Sequence, residues 1–268
     1  MDNLFLPCTL LGALVGLILA LTGAGGSVLA VPLMLFILHL NVAEAAPIAL
    51  LAVALSAAVG AAIGLRAGIV RYRAAGVMAT AGIACAPIGL WLAQRLPNAP
   101  LTLLFALVLA IVAWRMFGQA AAGAPPPAQQ PPCMLDPATG HFAWCARCLR
   151  ALLATGAGAG FLSGLLGVGG GFVIVPALRR ASNAPGQAIV ATSLAVITFV
   201  SSAGVMSTVI AGRMNWRLGL PFAFGAVLGM LGGRRLATRL SGPRLQQTFA
   251  VVAGLVAISM VLKVSIGT

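Results

Sequence analysis

The stretch Thr22-Gly23-Ala24-Gly25-Gly26-Ser27 interrupts one long apolar segment, and Gly167-Val168-Gly169-Gly170-Gly171 interrupts another. Glycine adopts positive φ and lets other groups approach the backbone closely. A helix that breaks at such a cluster restarts with unpaired N–H groups at the positive end of its dipole, a place that attracts anions. Nearby in sequence, the hydroxyls of Thr22, Ser27, Ser163, Thr192, Ser193 and Thr198 could each donate a hydrogen bond to an oxyanion. The candidate substrate-binding set is therefore Gly23, Gly25, Gly26, Ser27, Gly167, Gly169, Gly170, Gly171, Thr192 and Ser193, the last two being the preferred hydroxyls. Ordinary alternatives stand beside these roles. Small residues also pack helices closely, and a helical hydroxyl commonly bonds its own carbonyl. Gly12/Gly16 and Gly156/Gly160 read as packing, and Pro32 and Pro176 reinforce the breaks.

The elements that must position these residues are membrane helices. Of 268 residues 61% are hydrophobic and 7% charged, too little polarity to cover a soluble protein of this size. Several apolar runs approach or exceed the ~20 residues a helix needs to cross a bilayer. Their hydrophobicity is continuous rather than alternating, which excludes a β-barrel. The net charge of +13 comes from arginines spread through short loops, not gathered into an aromatic-studded patch. It reads as topogenic charge and contact with anionic lipid, not nucleic-acid binding. The N-terminus, with Asp2 where a signal peptide is positive, is expected to stay as the first membrane segment.

The two glycine clusters are 144 residues apart, from Gly23 to Gly167, and the offset holds without a gap. Gly12/Gly156, Gly16/Gly160, Pro32/Pro176, Gly60/Gly204, Gly89/Gly233 and Phe105/Phe249 all pair. This predicts an all-α polytopic membrane protein of two homologous repeats, residues 1–117 and 149–268. Each repeat holds three to four membrane helices plus a glycine-broken or re-entrant segment. Pro125, Pro126, Pro127, Pro131 and Pro132 mark residues 118–148 as a polar linker.

Charge predicts orientation. With parallel repeats, lysines and arginines divide nine to seven between the two sides. If each glycine break turns the chain, the repeats are inverted and the division is twelve to four. The twelve are Arg66, Arg71, Arg73, Arg115, Arg147, Arg150, Arg179, Arg180, Arg234, Arg235, Arg239 and Arg244; Arg95, Arg213, Arg217 and Lys263 take the other side. The positive-inside rule favours inversion, a cytoplasmic linker and external termini.

Other reactive residues are few. Tyr72-Arg73 and Trp216-Arg217 pair across the repeats; gating an anion is one reading, an interfacial aromatic-arginine anchor the favoured one. Asp2, Glu44 and Asp136 are the only acids, so no intramembrane carboxylate relay is visible and no cofactor is called for. The five cysteines show no disulfide framework. Cys145-Ala146-Arg147-Cys148, with Cys133 and His141, has the look of a metal or redox site, but with no second CxxC and no paired histidines no metal is predicted.

The duplicated G-x-x-x-G-x(6)-G-x-G-G followed by V-P resembles the sulfite exporter TauE/SafE family over nearly the whole chain except the linker. The second copy, Gly160 to Pro176, and the following Ala191-Thr192-Ser193 match more closely; Ser27 and Pro47-Ile48-Ala49 depart in the first. The resemblance implies a secondary permease of the cytoplasmic (inner) membrane of a bacterium, moving a sulfur oxyanion or organosulfonate such as sulfite or sulfoacetate by alternating access. An uncoupled channel-like conduit is the alternative. An integral membrane enzyme would need clustered intramembrane acids or histidines, which this chain lacks. Expected partners are a small anionic substrate and lipid, with a homo-oligomer left open.

Overall fold

The computed structural model describes residues 5–22, 25–121, 132–134, 145–240 and 243–266. Within them the chain forms α1 (Phe5–Thr22), α2 (Gly25–Ile37), α3 (Val42–Arg66), α4 (Tyr72–Arg95), α5 (Asn98–Ala121), α6 (Ala146–Leu166), α7 (Gly171–Ala181), α8 (Gly186–Ile210), α9 (Trp216–Leu240) and α10 (Pro243–Ile266). Among the described residues there is no named strand, only an isolated bridge between Cys133 and Ser182. Among the described residues five helices, α1, α3, α4, α6 and α8, are long and apolar enough to cross a membrane. A 25-residue helix such as α3 spans about 38 Å, against roughly 30 Å of bilayer hydrocarbon. Leu10, Ile88, Trp114, Ile210 and Leu255 stand exposed on the outside, whereas no charged side chain is among the buried described residues. That inversion of the soluble pattern is what a lipid-facing surface requires.

The two long apolar regions of the sequence each resolve into a full-length helix and a short one. α1 is followed by α2 of 13 residues, and α6 by α7 of 11 residues. Pro32 and Pro176 lie inside α2 and α7 rather than at the breaks. Neither proline can donate into its helix. Both short helices fold back on the helix before them. A side chain at Gly26 would strike Val15 and Leu19 of α1, and one at Gly170 would strike the Ala159 carbonyl of α6.

α1 lies along α9, and α6 along α4, at backbone contact. A β-carbon on Gly12 would strike the Phe222 carbonyl and one on Gly16 the Ala226 carbonyl. On Gly156 it would meet the Met78 carbonyl, and on Gly160 the Gly82 carbonyl. These four contacts keep the 144-residue offset on both partners. They are the close packing that small-residue faces permit.

At one end of the bundle the C-terminal ends of α3 and α7 meet the N-terminal ends of α4, α6 and α8. Gly64 abuts Ala191, and the Arg71 N–H donates to Thr192 Oγ1 at 3.0 Å. Here the structure corrects the cysteine reading: Cys133 and Cys148 form a disulfide. The Cys133 N–H also donates to the Ala181 carbonyl at 2.8 Å. A 15-residue separation across a linker without periodicity gave no sign of this pairing. Arg66, Arg71, Arg73, Arg147, Arg150, Arg179 and Arg180 belong to the same end by their places on these helix termini.

Candidate functional site

The break between α6 and α7 is built by glycines that only glycine conformations explain. Gly167 ends α6 with φ 71°, and its N–H donates to the Ser163 carbonyl at 2.8 Å. Gly169 and Gly170 follow at φ 69° and 66°, a region that costs other residues roughly 1–2 kcal/mol each. The chain is thus unwound from Gly167 to Gly170 before α7 starts. The N–H groups of Val173 and Ile174 take the Gly170 carbonyl. Those of Gly171 and Phe172, at the very start of α7, find no backbone acceptor among the described residues. They are the donors that a helix start leaves over.

This terminus sits between the middles of α3 and α8. A β-carbon at Gly169 would stand 2.8 Å from Val53 Cγ1, 3.0 Å from Ser201 Oγ and 3.3 Å from Ile197 Cγ2. Gly167 abuts Ala46 near the start of α3. The nearest neighbours are therefore two aliphatic side chains and one hydroxyl.

That hydroxyl is unusual. Ser201 is fully buried, and its Oγ has no hydrogen-bond partner among the described residues. Ser193, Thr198, Ser207 and Thr208 of the same helix donate to carbonyls within α8 at 2.8–2.9 Å. Ser201 forgoes that easy bond, at a cost of about 1–3 kcal/mol for a buried unsatisfied group. The sequence reading passed over Ser201. The signal was present in the repeat alignment, where Ser201 stands opposite Ala57.

The predicted hydroxyls are placed elsewhere. Thr192 accepts from Arg71, and Ser193 donates to Val190. Thr192 lies nine residues before Ser201, about 13 Å along the helix. Thr198 bonds Leu194, and Thr22 bonds Ile18. Ser27 and Ser163 are buried beside their respective breaks. Gly25 and Gly26 open α2, and Gly170 and Gly171 open α7. Gly23 lies outside the described residues.

The remaining reactive groups are accounted for at the periphery. Tyr72, Arg73, Trp216 and Arg217 are exposed, as interfacial anchors are. Glu44 is exposed and accepts from the Asn41 N–H at the start of α3, at 3.3 Å. Cys145 is exposed; its Sγ accepts from the Cys148 N–H at 3.3 Å and donates to the Pro132 carbonyl at 3.2 Å. Cys133 and Cys148 are bonded to each other, and His141 lies outside the described residues, so the group weighed as a metal site has no free sulfur pair.

Comparison with known proteins agrees with this architecture. The family model described as "Sulfite exporter TauE/SafE" matches residues 8–260. A "Probable membrane transporter protein" of Xylella fastidiosa (strain Temecula1) is 33% identical over 93% of this chain and 92% of its own. Its counterpart in Xylella fastidiosa strain 9a5c is 35% identical over the same shares. The "Probable membrane transporter protein YunE" of Bacillus subtilis (strain 168) is 38% identical over 30% of this chain and 31% of its own. No solved structure matches.

Proposed function

The chain belongs to the sulfite exporter TauE/SafE family of multi-pass membrane transporters, and from that premise we propose that it carries a small sulfur oxyanion or organosulfonate by alternating access about the α7 terminus. The observation that carries the reading is the juxtaposition at Gly169: unpaired N–H groups at a helix start, an unpartnered buried hydroxyl and aliphatic walls. Half-helix termini of this kind bind anionic groups in transporters built from repeats.

The two halves are inverted repeats in this reading, each with four long helices and a short returning one. The matched contacts of Gly12, Gly16, Gly156 and Gly160 support it. So does the gathering of arginine-bearing helix ends at one end of the bundle. The linker then faces the cytoplasm and the protein sits in a bacterial inner membrane, as the positive-inside rule and the bacterial relatives suggest. Anion exit is driven by the membrane potential, about 2.3 kcal/mol per charge per 100 mV. The test is tracer sulfite flux in vesicles containing purified protein. Saturable flux, competed by sulfonates, supports the reading; absence of flux for every sulfur oxyanion offered overturns it, and linear unsaturable flux points to a channel.

A further inference from the structure

We propose that this site selects a singly charged oxyanion over a doubly charged one, and that the Ser201 hydroxyl is the side-chain donor that holds it. The inference rests on the transporter reading above and goes beyond it by fixing the valence of the cargo and naming a residue. Three observations converge on it. The start of α7 offers backbone N–H groups without a backbone acceptor. Ser201 Oγ, buried and unpartnered, is aimed at the same break, 3.0 Å from where a Gly169 side chain would begin. The nearest other side chains at that point are Val53 and Ile197, and no buried described residue carries a charge.

Neutral donors and a helix start supply about half a positive charge. That compensates much of a single negative charge. It leaves a second one desolvated among aliphatic side chains, which is heavily penalised. A site meant for a dianion would place an arginine or lysine there, whereas Arg234, the arginine that reaches α3, donates to the Gly60 carbonyl at 2.7 Å, seven residues along the helix from Val53. The hydroxyl then does what no backbone group can: it rotates to meet a third oxygen of a tetrahedral or pyramidal head. The first half has Ala57 at the matching position, so the donor exists once, not twice.

The experiment uses purified full-length protein and two probes, methanesulfonate as the monoanion and sulfate as the dianion, at matched ionic strength. Binding is read as thermal stabilisation, which tracks ligand affinity, and transport as vesicle flux. Wild type should be stabilised by methanesulfonate and little by sulfate. Ser201→Ala should keep or raise its ligand-free melting temperature, since it removes an unsatisfied buried hydroxyl, and lose about ten- to hundred-fold in methanesulfonate affinity, the range for a hydrogen bond to a charged group. Should Ser201→Ala fail to fold, Ser201→Cys, of similar shape and a weaker donor, decides in its place. Equal or tighter binding of sulfate overturns the inference. So does unchanged methanesulfonate affinity in the variant, and in that case the transporter reading survives. If wild type neither binds nor moves any sulfur oxyanion, the transporter reading falls and this inference with it.

Discussion

Gly169, in the break between α6 and α7, faces Ser201 in the middle of α8, with the serine oxygen 3.0 Å from the place of a glycine β-carbon. The relationship separates two costs of substitution. Gly68 has nearly the same backbone, φ 68° against 69°, but open space around it. Gly68→Ala should therefore lose only backbone strain, roughly 1–2 kcal/mol, with flux retained. Gly169→Ala should show the same strain, crowd Val53 and Ser201, and lower flux at least tenfold. Parallel melting curves and flux assays on the two variants check this. Equal flux in both would remove Gly169 from the site.

The helix pairs make a second contrast. Gly160 touches the Gly82 backbone, while Gly158, two residues away, has open space. Gly160→Ala should destabilise by about 1–3 kcal/mol or prevent assembly, because two backbones must separate. Gly158→Ala should be neutral or stabilise by up to about 1 kcal/mol through helix propensity. Detergent melting temperatures measure both, and a tolerant Gly160 would refute the close contact.

Thiol labelling examines the linker. Without reductant, a maleimide should reach Cys145 and leave Cys133 and Cys148 unlabelled; after reduction both should react. Cys148→Ser should cost about 3 kcal/mol, the usual value for a loop near this 15-residue separation. With a membrane-impermeant reagent, Cys145 should label in inside-out vesicles and be protected in right-side-out ones. The opposite pattern would reverse the orientation.

Voltage supplies a fourth test. Each charge moved through the full field gains about 2.3 kcal/mol per 100 mV. Imposing a potential negative on the protein's cytoplasmic side should accelerate export of methanesulfonate. Flux indifferent to voltage would mean that another ion moves with the anion.

Much of this arrangement was legible in the sequence because it rests on backbone chemistry. Clustered glycines cost a helix so much that the break at Gly167–Gly171 was predictable from residue type, as was the close packing at Gly12 and Gly16. Side-chain placement was not legible in the same way. Thr192 and Ser193 follow the motif in sequence, yet α8 begins at the end of the bundle remote from Gly167, so its first turns cannot meet the break. Ser201 reaches it because α7 returns only to the middle of α8. The Cys133–Cys148 bond depends on where the linker lands on α7, which no periodicity encodes.

The backbone contact between α1 and α9, and between α6 and α4, has a mechanical consequence. Where Gly16 meets the Ala226 carbonyl and Gly160 meets Gly82, there is no intervening side chain to change rotamer and absorb sliding. Each pair is a stiff beam laced along several turns. In the alternating-access reading, the rearrangement that exposes the site to one side and then the other would be taken up where the contacts are made of side chains instead. One such place is the seam of Leu50 against Gly204 and Leu194 against Gly60, between α3 and α8. Val53, Ile197 and Ser201 lie on those same two helices, so in that reading the joint and the groups that would hold the cargo are one structure.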